Sequence, residues 1–216
     1  MNKTVRVWDL PIRLFHWTLA LSIALGIVFV KIGGNAIQWH AYCGYVTLTL
    51  VIFRIIWGFV GSWHARFFNF VPSPKRFMDY LRGQTEGGLG HSPLGAFSVL
   101  ALLLAVLIQA LTGLFADDDI FFQGPLAKYV SNSKVAFLTS VHHFNQYIIF
   151  ALVGLHVLAI FYYLLVKKDN LIQPMITGDK NVPANISSQA VDTMRQRLAA
   201  LMILLGVGIG LYYLIR

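Results

Sequence analysis

The chain is poor in the residues that cross-link or solvate a protein. It has one cysteine, Cys43, in 216 residues. That excludes an internal disulfide, an iron–sulfur cluster held by this chain alone, and the C-x-x-C-H pattern that attaches a c-type haem. Charged residues make up only 12%, about half the roughly 25% of a soluble domain. Acidic residues are the scarcest, nine against seventeen basic. The net charge of +8 does not point to nucleic acid, because the basic residues flank apolar runs and form no stripe or cluster interleaved with aromatics. They read as membrane topology.

What the sequence does have is long apolar runs, in a chain that is 57% hydrophobic. Five can be drawn, at roughly 14–32, 40–60, 94–115, 140–166 and 198–215, each near the ~20 residues a bilayer core requires. The first continues past the usual length of a signal-peptide core and has no A-x-A-like site after it, so it is expected to stay in the mature protein. Lys and Arg set the orientation. Twelve lie in the N-terminus (Lys3, Arg6, Arg13), the 61–93 loop (Arg66, Lys75, Arg76, Arg82) and the 167–197 segment (Lys167, Lys168, Lys180, Arg195, Arg197). Four, Lys31, Lys128, Lys134 and Arg216, lie on the other side. By the positive-inside rule the N-terminus is cytoplasmic and the C-terminus is outside.

Histidine inside these runs is the chemical signal, because an imidazole in hydrocarbon is expensive and marks a functional candidate. His142 and His156 are fourteen residues apart in the fourth run. On a helix that is about 40° short of four turns and about 21 Å of rise, so both rings leave one face at two depths. His143 falls about 140° away from the face of His156. With the orientation above, His40 opens the second span near the outer face and His16 opens the first near the cytoplasmic face. Depth therefore pairs His40 with His142 and His16 with His156. Two such pairs would make two bis-histidine sites for non-covalent b-type haem, six-coordinate centres suited to electron transfer.

Other residues carry competing readings. Arg54, fourteen residues after His40, either neutralises a haem propionate at the inner depth or snorkels to the headgroups. Gly26, Gly44, Gly113 and Gly154 either let a flat macrocycle approach the backbone or serve ordinary helix packing. The 61–93 loop, basic and aromatic with Pro72 and Pro74, reads as an interfacial segment. Its His64 and His91 are either proton relays to a quinone or solvated loop residues. Asp117, Asp118 and Asp119 either bind a cation or steer a basic partner, or form a solvated loop with no defined calcium spacing. The 167–197 segment reads as a polar linker. The last span has no ionisable residue within it and is expected at the periphery.

VWDLPIRLFHW at the start, RIIWGFVGSWHARF after the second span, GHSPLGAF before the third, H-x13-H in the fourth and NLIQPMITGDK after it resemble the bacterial cytochrome b561 family. That family includes the b-type cytochrome subunits of nickel–iron hydrogenases. The similarity runs from about residue 5 to 182. With five apolar runs the expected fold is an all-α integral membrane protein, with a linker and a fifth, peripheral helix in 183–216; the resemblance implies a four-helix haem-binding bundle in residues 1–182. It also implies two b haems on His16, His40, His142 and His156, and electron exchange with the inner-membrane quinone pool. His143 departs from the family pattern. The expected function is a di-haem cytochrome b passing electrons between quinone and a redox partner, such as a cytochrome c. The alternatives are a self-contained superoxide- or small-reductant:quinone oxidoreductase and, in another class, a non-haem transporter or channel.

Overall fold

The computed structural model describes every residue except Glu86, Phe121 and Gln189. The chain begins with strand β1 (Asn2–Arg6), then α1 (Leu10–Ile32) and, after a single 3-10 turn, α2 (Ile37–Val60). Two short helices follow, α3 (Phe67–Phe70) and α4 (Pro74–Leu81), before α5 (Pro93–Gly113). The long α6 (Asn132–Leu165) leads to α7 (Ile172–Thr177), strand β2 (Asp179–Pro183) and α8 (Met194–Ile215). Five of these helices, α1, α2, α5, α6 and α8, are long and apolar enough to cross a membrane. Only 6% of the most apolar window of α6 is buried by protein. A helix that bare and that apolar is at home in lipid and not in water.

Local sequence explains where the helices start. Asp9 caps α1, its Oδ1 accepting the Ile12 N–H at 2.8 Å, with Pro11 in the first turn. Ser-Pro does the same twice: Ser73 accepts from Arg76 N ahead of Pro74, and Ser92 from Gly95 N ahead of Pro93. Thr193 and Gln196 form a reciprocal capping box at α8, Thr193 Oγ1 accepting from Gln196 N and Gln196 Oε1 from Thr193 N. This box starts α8 four residues earlier than its apolar run. The start of α6 at Asn132 likewise takes in residues whose polarity reads as loop.

The chain divides into two compact units. Unit 1 comprises Met1–Phe15, Arg54–Ala101 and Val153–Met202; unit 2 comprises His16–Phe53, Leu102–Leu152 and Ile203–Arg216. In unit 1, β1 and β2 pair antiparallel, Thr4 opposite Asn181. Their sequences, NKTVR and DKNVP, carry no apolar alternation, so only the pairing itself reveals them as strands. Gly178, at φ +91°, ends α7 and turns the chain into β2. A Cβ there would meet Arg6 Nη1 and the Trp8 carbonyl. Beside this ladder, Asp192 gathers Arg6, Arg13 and Arg197 within 4.0 Å. The 167–197 segment is thus built, not a free linker. The core of unit 2 is formed by Leu48, Ala110, Leu114 and Leu211. The last of these comes from α8, which is otherwise largely exposed along its length.

Candidate haem site

In unit 2, α2 and α6 bring His40 and His142 together. Their ring centroids are 6.1 Å apart and their planes are nearly perpendicular, at 89°. Each ring is held through Nδ1 by a main-chain oxygen: Gly26 O at 2.9 Å for His40, and Gln109 O at 2.9 Å for His142. A carbonyl can only accept, so both imidazoles carry their proton on Nδ1, and Nε2 is left with its lone pair free to ligate. One of the glycines has a visible role here. A Cβ on Gly113 would stand 3.0 Å from His142 Cε1, whereas one on Gly26 would make only ordinary contacts, the nearest at 3.5 Å.

Both rings border an open cavity with about 1290 Å³ of non-atom space, solvent at its mouth included. Its walls are mainly apolar, and its polar rim includes Lys31, Asp117, Asp118, His143 and Gln146. His143 is exposed, its ring 6.2 Å from that of His142. The aspartates are folded into their own loop: Asp117 accepts from Asp119 N and Gln123 Nε2, and Asp118 from Ile120 N and Phe122 N.

The dimensions fit one metal ion between the rings. A ring nitrogen lies about 1.1 Å from the imidazole centre, and metal–imidazole bonds run about 2.0–2.1 Å, as in zinc sites. Two imidazoles holding one ion would then have centroids about 6 Å apart, close to the 6.1 Å between His40 and His142. No group of three or more His, Cys, Asp or Glu able to hold a bare ion occurs among the described residues. A pair of imidazoles needs further donors from a cofactor, and a porphyrin supplies four nitrogens in one plane.

His16 belongs to unit 2 and His156 to unit 1. His16 packs its ring edge-on against Trp17, with centroids 4.9 Å apart, and both histidines are partly buried. In unit 1, Arg54 is 3% exposed, its guanidinium lying over Phe67 at 5.0 Å and Phe70 at 5.9 Å. Its Nη1 is buried without a hydrogen-bond partner among the described residues. A buried cation with a donor unspent is suited to an anionic group such as a propionate. The close fit depends on Gly58, where a Cβ would collide with the Phe67 ring.

His64 and His91 are not free loop residues. His91 lies between Trp8 (4.8 Å) and Phe70 (4.5 Å), and burial, reinforced by the charge of Arg54 and by His64, pushes its imidazole down to about 3. His64 Nε2 meets Ser188 Oγ at 3.1 Å, and burial lowers its pKa as well.

Several residues beside these sites escaped the sequence reading. Asp9, fully buried, accepts from Trp57 Nε1 at 3.0 Å while capping α1. Asn145 donates to Ala105 O and Gln109 Oε1, and Thr112 Oγ1 lies 3.3 Å from His142 Nδ1. The available signal was polarity, since Asn145 and Gln109 each interrupt an apolar run.

Residues 7–178 match the family described as prokaryotic cytochrome b561. The chain belongs to that family. Among the relatives of this cytochrome is a probable Ni/Fe-hydrogenase B-type cytochrome subunit of Rhizobium leguminosarum bv. viciae, 25% identical over 83% of this chain and 90% of its own. A protein of the same name from Azotobacter vinelandii is 26% identical over 82% of this chain and 88% of its own. The probable Ni/Fe-hydrogenase 1 B-type cytochrome subunit of Escherichia coli (strain K12) is 22% identical over 80% and 88%. No solved structure is a significant match. The cytochrome is a multi-pass membrane protein, and its family implies haem b.

Proposed function

We propose that this cytochrome is a di-haem electron carrier of the bacterial inner membrane, working between the quinone pool and a redox protein partner. His40 and His142 would hold one haem b; His16 and His156 would hold the other, with Arg54 beside it. The N-terminus would face the cytoplasm and the C-terminus the periplasm. Residues 1–182 would form the haem domain, and 183–216 would append the last helix. The names of the relatives suggest a nickel–iron hydrogenase as the partner.

The observation that carries this reading is the pair of imidazoles 6.1 Å apart, each tied through Nδ1 to a carbonyl. When bound there, haem b supplies a one-electron couple between ferric and ferrous iron. The protein's part would be to fix the tautomer and direction of each ring, hold the haem through His40 and His142, and wall the site with apolar side chains.

Purified protein tests this directly. The expected result is two b-type haems per chain, two one-electron waves in a redox titration, and reduction by added quinol. A colourless preparation from haem-replete cells would remove the reading altogether, and a single haem would remove the second pair.

A further inference from the structure

We infer that Asn145 is a positioning residue that sets the reduction potential of the haem held by His40 and His142, acting through Gln109. The inference rests on the ligand assignment proposed above. It concerns why one axial imidazole is held as it is.

Asn145 is 4% exposed and lies in the apolar α6, where a primary amide is costly unless its hydrogen bonds are made. Its Nδ2 makes two, to Ala105 O at 2.8 Å and to Gln109 Oε1 at 2.9 Å. The first contact fixes the orientation of both amides: a main-chain oxygen can only accept, so the group facing it is NH2, and Gln109 must answer with its oxygen. Ala105 and Gln109 are one turn apart on α5, so one side chain of α6 grips a full turn of the neighbouring helix.

Three residues before Asn145, on the same side of α6, is His142. Gln109 is therefore held on both its side chain and its main chain: its side-chain oxygen takes Asn145, and its main-chain oxygen takes His142 Nδ1 at 2.9 Å and Thr112 Oγ1 at 3.1 Å. The Nδ1–H···O bond selects the ligating tautomer and makes the imidazole a stronger donor, which favours ferric iron. The nearest substitute acceptor is Thr112 Oγ1. It lies farther from Nδ1, at 3.3 Å, and already donates to Ile108 O at 2.7 Å. If Gln109 drifts, His142 keeps a weaker partner and donates less to the metal.

The experiment is a spectroelectrochemical titration of the purified holoprotein carrying Asn145→Leu, Gln109→Leu, or both. Asn145→Leu is expected to keep two haems while shifting one reduction equilibrium about tenfold toward the ferrous form. For a one-electron couple that is about 59 mV upward. Gln109→Leu, which keeps the main-chain carbonyl and loses only its anchor, should shift the same haem by a similar factor. The double variant should go no further than either single one. An unmoved potential, an equal shift of both haems, or additive shifts in the double variant would overturn the inference. If Asn145→Leu does not accumulate, Gln109→Leu alone decides on the same criterion. Haem content left unchanged by His142→Ala would instead refute the ligand assignment.

Discussion

Among single residues, adjacent histidines give the sharpest test. His142 is tied to Gln109 and faces His40, while His143 stands exposed at the cavity rim. Under the proposed di-haem ligation, replacing His142 with Ala should cost one haem and leave the spectrum of the other intact. Replacing His143 should leave haem content unchanged, and equal loss in both variants would contradict the geometry. Arg54→Gln offers a complementary case. The charge removed is buried, so under the proposed ligation it should shift the potential of the haem assigned to His16 and His156 and move that assigned to His40 and His142 little; a titration resolving both waves decides it. The contrast between legible and illegible residues is physical. An imidazole in an apolar run is conspicuous because hydrocarbon offers it nothing. Asn145 and Gln109 are as conspicuous in kind, yet their role depends on the register between α5 and α6, which no single sequence displays. Asp9 was harder still: in sequence a cap and an indole acceptor look the same as a solvated carboxylate.

At the scale of secondary structure, Asp9 joins two helices. One carboxylate oxygen caps α1 and the other accepts from Trp57 Nε1 of α2, both without solvent. Asp9→Ala should destabilise the protein by about 2–4 kcal/mol, combining a lost cap of about 1 with an indole N–H left unpaired at about 1–3. Asp9→Asn has one acceptor for two donors and should fall between wild type and Asp9→Ala in thermal melts in detergent. If the two variants melt together, the two oxygens do not have separate jobs. Span positions were readable from composition because a bilayer sets their length. Their ends were not, since α6 begins in a polar stretch and α8 in a capping box, where hydrophobicity is silent. The β1–β2 ladder left no trace, because Val182 is its one buried residue and a single position imposes no alternation.

For the whole molecule, acid should act through unit 1. His91 titrates near 6.5 when unfolded and at about 3 when folded. Its folded value is the lower, so the unfolded chain takes the proton first, and stability present above about pH 6.5 drains away as the pH falls toward 3. Asp192 acts lower on the scale. Its burial opposes ionisation, but hydrogen bonds from Arg197 and the Leu10 N–H, with the charges of Arg197 and Arg6, outweigh that and hold it below the usual carboxylate range. Its contribution is present above about pH 3.9 and is lost as the pH falls through the depressed folded value. Melting temperature should therefore decline between pH 7 and pH 4, and His91→Leu should flatten that decline. A wild-type profile level across this range would show that His91 does not stay neutral in the fold.

The pairing of Thr4 with Asn181 spans 177 positions of chain. At a ribosomal pace of about 5–20 residues per second, the first strand waits about 9–35 s for its mate to be made. During that interval four of the five spans are already emerging and the basic N-terminal residues have no partner. Tethering of the amino end is thus one of the last events in biogenesis, and it follows membrane insertion.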